Sequence, residues 1–165
     1  MRIEDRFECS AKTLMDLILD SSFDGEVMRA IGMRKEVIED REIEGGKVEV
    51  VRMIPSTDLP SFMKKVVGGS NEYTETRTWT FDKMMNTWSE KTGFAQDKID
   101  IRGTFVIKPA GDGACTRVVE GDFSVRIPLV GKKIEEFIIE RTKESFQRST
   151  AFTKKWIKDK GLAGK

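Results

Sequence analysis

The residues from about 130 to 160 form one long helical pattern near the C-terminal end of the sequence. Pro128 precedes this segment and Gly161 follows it, which are positions that proline and glycine favour at helix ends. About thirty helical residues span roughly 45 Å, so the rest of the chain must bury one face of this helix. Large apolar residues occupy the ends of that face and small hydroxyl residues occupy its middle: Ile134, Ile138, Thr142, Ser145, Ser149, Phe152 and Trp156.

Most of the sequence before this helix has the alternation that is typical of antiparallel strands. Gly45-Gly46 and the segment PAGDG indicate turns between such strands. A first strand is followed by two short helices, one that begins after Ser10 and one that begins at Ser21 or Ser22. The seven predicted strands cover residues 2–9, 33–44, 47–54, 72–82, 84–91, 99–108 and 114–127.

A helical stripe interrupts the strands in the segment DLPSFMKKVVGG, residues 58–69. Its apolar residues recur at the spacing of one helix face, with Pro60 in the first turn and Gly68-Gly69 at the end. The segment is either a plug over the sheet edge or a lid at the mouth of a cavity, and the pattern does not distinguish these roles. The predicted lid residues are Leu59, Phe62, Met63 and Val66, with Val67 on the same face.

These elements predict an α+β fold in a single domain of residues 1–165, with a short helix between the third and fourth strands. The order is one strand, two helices, six strands and a long helix. A curved antiparallel sheet of seven strands that wraps around the C-terminal helix would bury the helix face. Because the middle of that face is small, a hollow results there. Gly103 and Gly121 lie on the predicted inward face and serve either curvature or open space beside the helix.

Three segments carry a resemblance to a known group of proteins: LPSFMKKVVGG, YTETRTWTF, and IPLVGKKIEEFIIERTKESF leading to TAFTKKWI. They resemble an uncharacterised bacterial family of the START-like, or SRPBCC, superfamily. That superfamily has the helix-grip fold and includes birch-pollen-allergen-like proteins and polyketide cyclases. The PLVGKKIE segment, where the last strand passes into the long helix, is the most characteristic of the three. The resemblance covers essentially the whole chain and implies a cavity for a hydrophobic or amphipathic ligand, with no known reaction.

Charged and apolar residues share one face of the strand TETRTWTF, residues 74–81. Threonines occupy the other face, so Glu75 and Arg77 point inward together with Trp79 and Phe81. Buried charges need partners, which leaves two interpretations. In the first, Glu75 and Arg77 form an ion pair at the open rim of the sheet. In the second, they are polar anchors in an apolar pocket, where Arg77 and Arg117 bind a carboxylate or phosphate of the ligand. Further inward candidates are Asp5, Arg52, Asn86 and Glu90.

The predicted cavity wall combines inward residues of the strands with the small face of the long helix. The aromatic residues are either ordinary core or cavity wall, since the two are contiguous in this architecture. The predicted ligand-binding residues are Glu75, Arg77, Trp79, Phe81, Trp88, Phe105, Arg117, Phe123, Thr142, Ser145 and Ser149.

The composition argues against several classes of function. The 29 Lys and Arg residues nearly balance the 28 Asp and Glu residues, so no strong positive field favours nucleic acid as a partner. The sequence contains no histidine, which removes Ser-His and Cys-His nucleophile pairs and histidine metal sites. The N-terminus lacks the apolar region of a secretory signal and no apolar run is long enough to span a membrane. We therefore expect a cytoplasmic protein without stable membrane insertion.

Cys9 and Cys115 are too few for a disulfide framework or a cysteine metal site, and we expect neither a metal nor a cofactor. Both residues have the inward phase, on strands that are neighbours in the helix grip. The two thiols are therefore expected to lie close together and to be reduced.

The leading hypothesis is a protein that binds or carries a hydrophobic or amphipathic small molecule or lipid in the cavity, without catalysis. The first alternative is a polyketide cyclase or dehydratase-like enzyme that uses a pocket carboxylate or tyrosine, chosen from Asp5, Glu75 and Tyr73. The second alternative is a protein-interaction module with a closed cavity, which would use the charged convex face or the sheet edge. The identity of the ligand, the pathway and the oligomeric state stay open.

Overall fold

The computed structural model describes residues 1–68 and 70–165, apart from the side chain of Val67. Gly69 and the Val67 side chain, both part of the predicted short helix and its stop, lie outside the described residues. Over the described residues the chain forms seven strands and four helices. They are β1 (Arg2–Phe7), α1 (Ala11–Leu19), α2 (Ser21–Ile31), β2 (Met33–Ile43), β3 (Gly46–Pro55), α3 (Ser61–Val67), β4 (Tyr73–Thr80), β5 (Met85–Thr92), β6 (Ile99–Pro109), β7 (Cys115–Val125) and α4 (Gly131–Asp159).

One antiparallel sheet contains these strands in the spatial order β1-β7-β6-β5-β4-β3-β2. Consecutive strands from β2 to β7 are neighbours, and the N-terminal β1 pairs with the last strand β7. The 29-residue α4 follows the sheet, and α3 lies between the third and fourth strands. The predicted α+β helix-grip architecture is therefore confirmed.

Helix α2 is held at both ends by capping residues. The helix begins at Ser21, one of the two predicted starts, and the Asp20 carboxylate caps it by accepting a hydrogen bond from the Phe23 amide at 2.8 Å. Gly32 ends the helix with a φ of 71°, in the left-handed region that favours glycine. These caps define the start and the end of the helix that packs beside α4.

Helix α4 contacts different partners along its length. At its start, a Cβ atom on Gly131 would lie 2.3 Å from the Val125 carbonyl oxygen, which explains the glycine in PLVGKKIE. Near its end, Phe152 and Trp156 pack against Phe23 of α2, at ring-centroid distances of 6.1 and 5.4 Å. The predicted apolar face is thus shared between the sheet and α2. Neither α4 nor any other helix in the described part of the chain has the length and apolar character that crossing a membrane requires.

The thiols of Cys9 and Cys115 are buried, and no disulfide joins them. The two side chains interact with each other at the start of β7. Burial, and then the neighbouring Cys9, raise the pKa of Cys115 to about 12. Because the thiolate is the reactive form, Cys115 behaves as a small apolar core residue near neutral pH.

Two glycines on adjacent strands make room for the indole ring of Trp88. Gly103 and Gly121 are opposed across β6 and β7, and Trp88 of β5 is opposed to Gly103. A Cβ atom on Gly103 would lie 2.0 Å from the Glu120 carbonyl oxygen and 2.4 Å from the Trp88 ring. A Cβ atom on Gly121 would lie 3.1 Å from the same ring. The Trp88 ring therefore occupies the space that these glycines leave.

We expect Gly103→Ala to destabilise the fold by about 3 kcal/mol or more, because the backbone oxygen of Glu120 cannot move aside for the added methyl group. Urea denaturation followed by tryptophan fluorescence measures the free energy of unfolding. Gly25→Ala in α2 is the matched control, since a Cβ atom there meets nothing within 4 Å and alanine favours a helix. A Gly103→Ala protein as stable as the wild type would contradict this packing.

Candidate functional site

A cavity of about 330 Å³ lies between the sheet and α4. Apolar residues of the first two helices, including Leu14, Ile18 and Phe23, form one part of its wall. Strands β4, β5 and β6 contribute aromatic and polar residues. On the α4 side the wall includes the small residues Thr142, Ser145 and Ser149.

Strand pairing arranges the polar residues of the cavity in rows that cross β4, β5 and β6. Residues that are directly opposed on neighbouring strands point to the same side of a sheet. Each row therefore presents its members side by side to the cavity. The rows are Tyr73 with Thr92, Glu75 with Glu90 and Ile101, Arg77 with Trp88, and Trp79 with Asn86 and Phe105.

Glu75 and Arg77 pair with each other within a larger, mostly buried network. The Arg77 guanidinium contacts Glu75 and lies 3.3 Å from a carboxylate oxygen of Glu49 on β3. The Lys35 ammonium continues the network, at 3.2 Å from Glu49 and 2.5 Å from Asp24 of α2. Burial disfavours the charged guanidinium, but Glu75 and Glu49 outweigh it and raise the pKa of Arg77. Glu75 and Arg77 thus line the cavity while they are paired.

Glu90 is a cavity carboxyl group that the fold keeps largely protonated at neutral pH. It is directly opposed to Glu75 on the neighbouring strand. Burial, and then the charge of Glu75, raise the pKa of Glu90 to about 8, although Arg77 acts in the opposite direction. Burial, followed by Glu90 and Glu75, also raises the pKa of Tyr73 well above its ordinary value. Near pH 7 this part of the cavity therefore presents a neutral carboxyl and a neutral phenol beside paired charges.

Arg117 is buried on the β7 side of the cavity, with 4% of its surface exposed. Its guanidinium donates hydrogen bonds to the Asp5 carboxylate at 2.7 Å and to the Thr150 hydroxyl at 2.6 Å. The rings of Phe7 and Phe146 each lie 5.2 Å from the guanidinium carbon. Burial lowers the pKa of Arg117, and the hydrogen bond to Asp5 opposes this change. The charge of Arg117 is therefore already balanced within the fold.

The structure brings most of the predicted cavity residues together around this hollow. Two residues of the predicted lid, Leu59 and Met63, also belong to its wall. The predicted ligand-binding residues that line the cavity are Glu75, Arg77, Trp79, Trp88, Phe105, Arg117, Thr142, Ser145 and Ser149.

Four residues predicted for the cavity or its lid lie outside the wall: Phe62, Val66, Phe81 and Phe123. Phe81 is 40% exposed, because β4 ends one residue earlier and the strand alternation ends with it. Phe123 contacts the ring of Trp88 at a centroid distance of 6.2 Å. Phe62 contacts Phe137 of α4 at 6.0 Å, so it joins α3 to α4 from outside the cavity.

The inward face of β3 differs from the expectation in two residues. Glu49 is buried in the charged network, whereas Arg52, expected to point inward, is exposed and pairs with Glu36 at 3.4 Å. Valines occur on both faces of β3, so its alternation does not identify the inward side. Glu49 is directly opposed to the inward residue Arg77, so Glu49 also points inward. That pairing follows from the strand register, which the sequence pattern does not give.

Solved structures share this architecture over nearly the whole chain. Zhui aromatase/cyclase from Streptomyces sp. R1128 has a TM-score of 0.65 at 12% identity, over 92% of this chain and 90% of its own. Truncated norcoclaurine synthase from Thalictrum flavum has a TM-score of 0.62 at 15% identity, over 93% and 91%. A START superfamily protein from Mycobacterium smegmatis has a TM-score of 0.59 at 13% identity, over 94% and 97%. The protein therefore has the START-like helix-grip fold, which confirms the fold that the sequence resemblance implied.

The sequence itself assigns the family. The chain belongs to the family described as Protein of unknown function (DUF2505), whose model matches residues 2–157. A comparison with curated proteins finds no match. Since likeness at these identities establishes the fold alone, the function has to be argued from the cavity.

We expect Glu90→Gln to remove a pH dependence of stability. The pKa of the Glu90 carboxyl is about 8 in the folded protein and near 4.5 in the unfolded chain. Its contribution to the free energy of unfolding is therefore most favourable below pH 4.5, where the group is protonated in both states. That contribution is lost as the pH rises through 8. Between about pH 4.5 and about pH 9, the variant should therefore gain on the order of 2 to 4 kcal/mol in free energy of unfolding relative to the wild type.

Urea unfolding at a series of pH values tests this prediction. Glu44→Gln is the matched control, because Glu44 is exposed in the turn between β2 and β3. The wild type and this control should show the same pH dependence. Parallel profiles for the wild type and Glu90→Gln would show that Glu90 titrates near its ordinary pKa.

Proposed function

We propose that this protein binds or carries a hydrophobic or amphipathic small molecule or lipid in the cavity between the sheet and α4. The observation that carries the proposal is the cavity itself, with a volume of about 330 Å³. Ligand sites of folded proteins are concave and mostly apolar, with a few placed polar groups. The START-like fold of solved relatives is consistent with such a role.

The walls of the cavity favour an apolar ligand body. Leu14, Ile18, Val27, Trp88 and Ile138 present aliphatic and aromatic surface to the hollow. Burial of apolar surface contributes about 25 cal/mol for each Å² removed from water. Protein interiors are otherwise close-packed, so a hollow of this size between well-packed elements is itself a feature that a ligand would fill.

We further propose that α3 is a gate to this cavity. Leu59 and Met63 contribute to the wall, and Met63 is buried. Phe62 holds the helix to α4 through Phe137, and the Lys133 ammonium lies 4.3 Å from the centre of the Phe62 ring. α3 has only seven residues and no side-chain cap, so its own helical stability is small and its position depends on these contacts.

We expect Phe62→Ala to increase the dissociation rate of a bound apolar fluorescent probe by about fivefold, through the loss of an aromatic contact worth roughly 1 kcal/mol. Stopped-flow competition measures that rate. Phe81→Ala is the matched control, because Phe81 is exposed in a turn away from the cavity. Equal dissociation rates for Phe62→Ala and the control would contradict the role of α3 as a gate.

We expect Ser145→Phe to weaken binding of an apolar fluorescent probe by at least about tenfold, because the new ring occupies the hollow. Titration of the probe into the protein measures the affinity. Gln147→Phe places the same ring on an exposed position of α4 and should bind the probe as the wild type does. Unchanged affinity in a folded Ser145→Phe protein would contradict binding in this cavity.

A second candidate function is an enzyme of the cyclase or dehydratase type. It is favoured by the position of Glu90 in the cavity wall, directly opposed to Glu75. Burial and then Glu75 raise the pKa of Glu90 to about 8, which suits a general acid near neutral pH. Tyr73 lies in the neighbouring row of the same wall. Turnover of a polyketide-like substrate that Glu90→Gln abolishes, with substrate still bound, would select this function over simple binding.

A further inference from the structure

Three buried polar atoms in the cavity wall have no hydrogen-bond partner among the described residues. They are Nε1 of Trp79, Oδ1 of Asn86 and Nε of Arg117. The three residues are only 3%, 4% and 4% exposed. A buried donor or acceptor that stays unpaired costs about 1 to 3 kcal/mol, and most buried polar atoms in proteins are paired. Three such atoms on residues of one wall therefore point to a hydrogen-bonding group that reaches them when these side chains move slightly, because none of the three atoms is itself exposed to the hollow.

The three residues surround one aromatic ring. Trp79 and Asn86 are directly opposed on β4 and β5, and Asn86 is opposed to Phe105 on β6. The Trp79 ring packs edge-on against Phe105 at 5.9 Å, and the Arg117 guanidinium carbon also lies 5.9 Å from the centre of the Phe105 ring. Trp79, Asn86 and Arg117 around Phe105 thus form one local group, which we call the Phe105 subsite.

The chemistry of these atoms restricts what the subsite binds. The indole Nε1 of Trp79 and the guanidinium Nε of Arg117 only donate hydrogen bonds, and the amide oxygen of Asn86 only accepts them. A ketone oxygen accepts a hydrogen bond from either donor. A hydroxyl group accepts from a donor and can also donate to the acceptor. Either group leaves the remainder of the ligand free to contact the apolar wall.

An anionic ligand group fits the subsite less well. The Arg117 charge is already balanced by Asp5, at 2.7 Å. The other buried arginine of the wall, Arg77, lies between Glu75 and Glu49. A carboxylate at the subsite would therefore be desolvated without an uncompensated cation to replace its hydration.

We infer that the Phe105 subsite binds a neutral oxygen group, a ketone or a hydroxyl, on an otherwise apolar ligand. This inference rests on the proposed function and specifies the ligand class. Both groups occur in many natural small molecules, and a carboxylate is not the preferred group at this subsite.

Three probes with the same ring system test the inference: acetylnaphthalene, ethylnaphthalene and naphthoate, each substituted at the same ring position. Isothermal titration calorimetry measures their affinities for the purified protein. We expect acetylnaphthalene to bind about tenfold more tightly than ethylnaphthalene, because only the ketone pairs with the unpaired donors. Naphthoate should bind more weakly than acetylnaphthalene.

Substitutions in the Phe105 subsite test whether its unpaired atoms cause the preference for acetylnaphthalene. Trp79→Phe keeps an aromatic ring but removes the donor, so the preference for acetylnaphthalene over ethylnaphthalene should fall to about threefold or less. Trp156→Phe is the matched control, because Trp156 packs on α2 rather than in the cavity wall, and it should keep the full preference. Asn86→Leu provides a second test, in which naphthylethanol, the hydroxyl analogue, should lose affinity relative to ethylnaphthalene.

The possible results separate this inference from the proposed function. Equal affinities of acetylnaphthalene and ethylnaphthalene would contradict the inference that the Phe105 subsite binds a neutral oxygen group. The proposed binding of an apolar ligand would still hold, and water would be the partner of the unpaired atoms. Naphthoate as the tightest ligand would overturn that inference in favour of an anion site. No binding of either neutral probe would overturn both proposals.

Discussion

Small side chains in the middle of α4 separate the helix from strands β4, β5 and β6. Ile134 near the start of the helix and Ile157 near its end are buried in the core, so both ends are packed against the rest of the fold. Between them, Thr142, Ser145 and Ser149 are too short to reach the aromatic residues of β4, β5 and β6. A cavity therefore lies between the two packed ends, and the candidate site depends on it.

The strand register then decides the polarity of that cavity. Opposed positions on β3 and β4 put Glu49 beside Arg77, and those on β1 and β7 put Asp5 beside Arg117. Each arginine is compensated within the protein, so neither needs a ligand anion to be buried. Among the buried polar groups of the wall, those left for a ligand are neutral ones: the Glu90 carboxyl and the unpaired atoms of the Phe105 subsite. An apolar wall with neutral hydrogen-bonding groups is consistent with the uncharged ligand that we propose.

The sequence predicted the fold well, because periodicity together with glycine and proline signals separates the strands from the helices, and the family resemblance implied the helix-grip fold. The threonine face of β4 also identified Glu75, Arg77 and Trp79 as inward residues. The prediction was weaker where a pattern was ambiguous or ended, as at the valines of β3 and at Phe81 after the end of β4. The unpaired state of an atom such as Asn86 Oδ1 depends on all its neighbours in space, so no sequence pattern indicates it.

The most direct test of the cavity is crystallography of the protein under xenon pressure. Xenon enters dry apolar cavities and is visible in electron density. We expect xenon density between Trp88 and the α4 face that carries Ser145, with little movement of the surrounding side chains. Absence of xenon, together with side chains of the sheet and α4 in direct contact there, would contradict the existence of an internal ligand site.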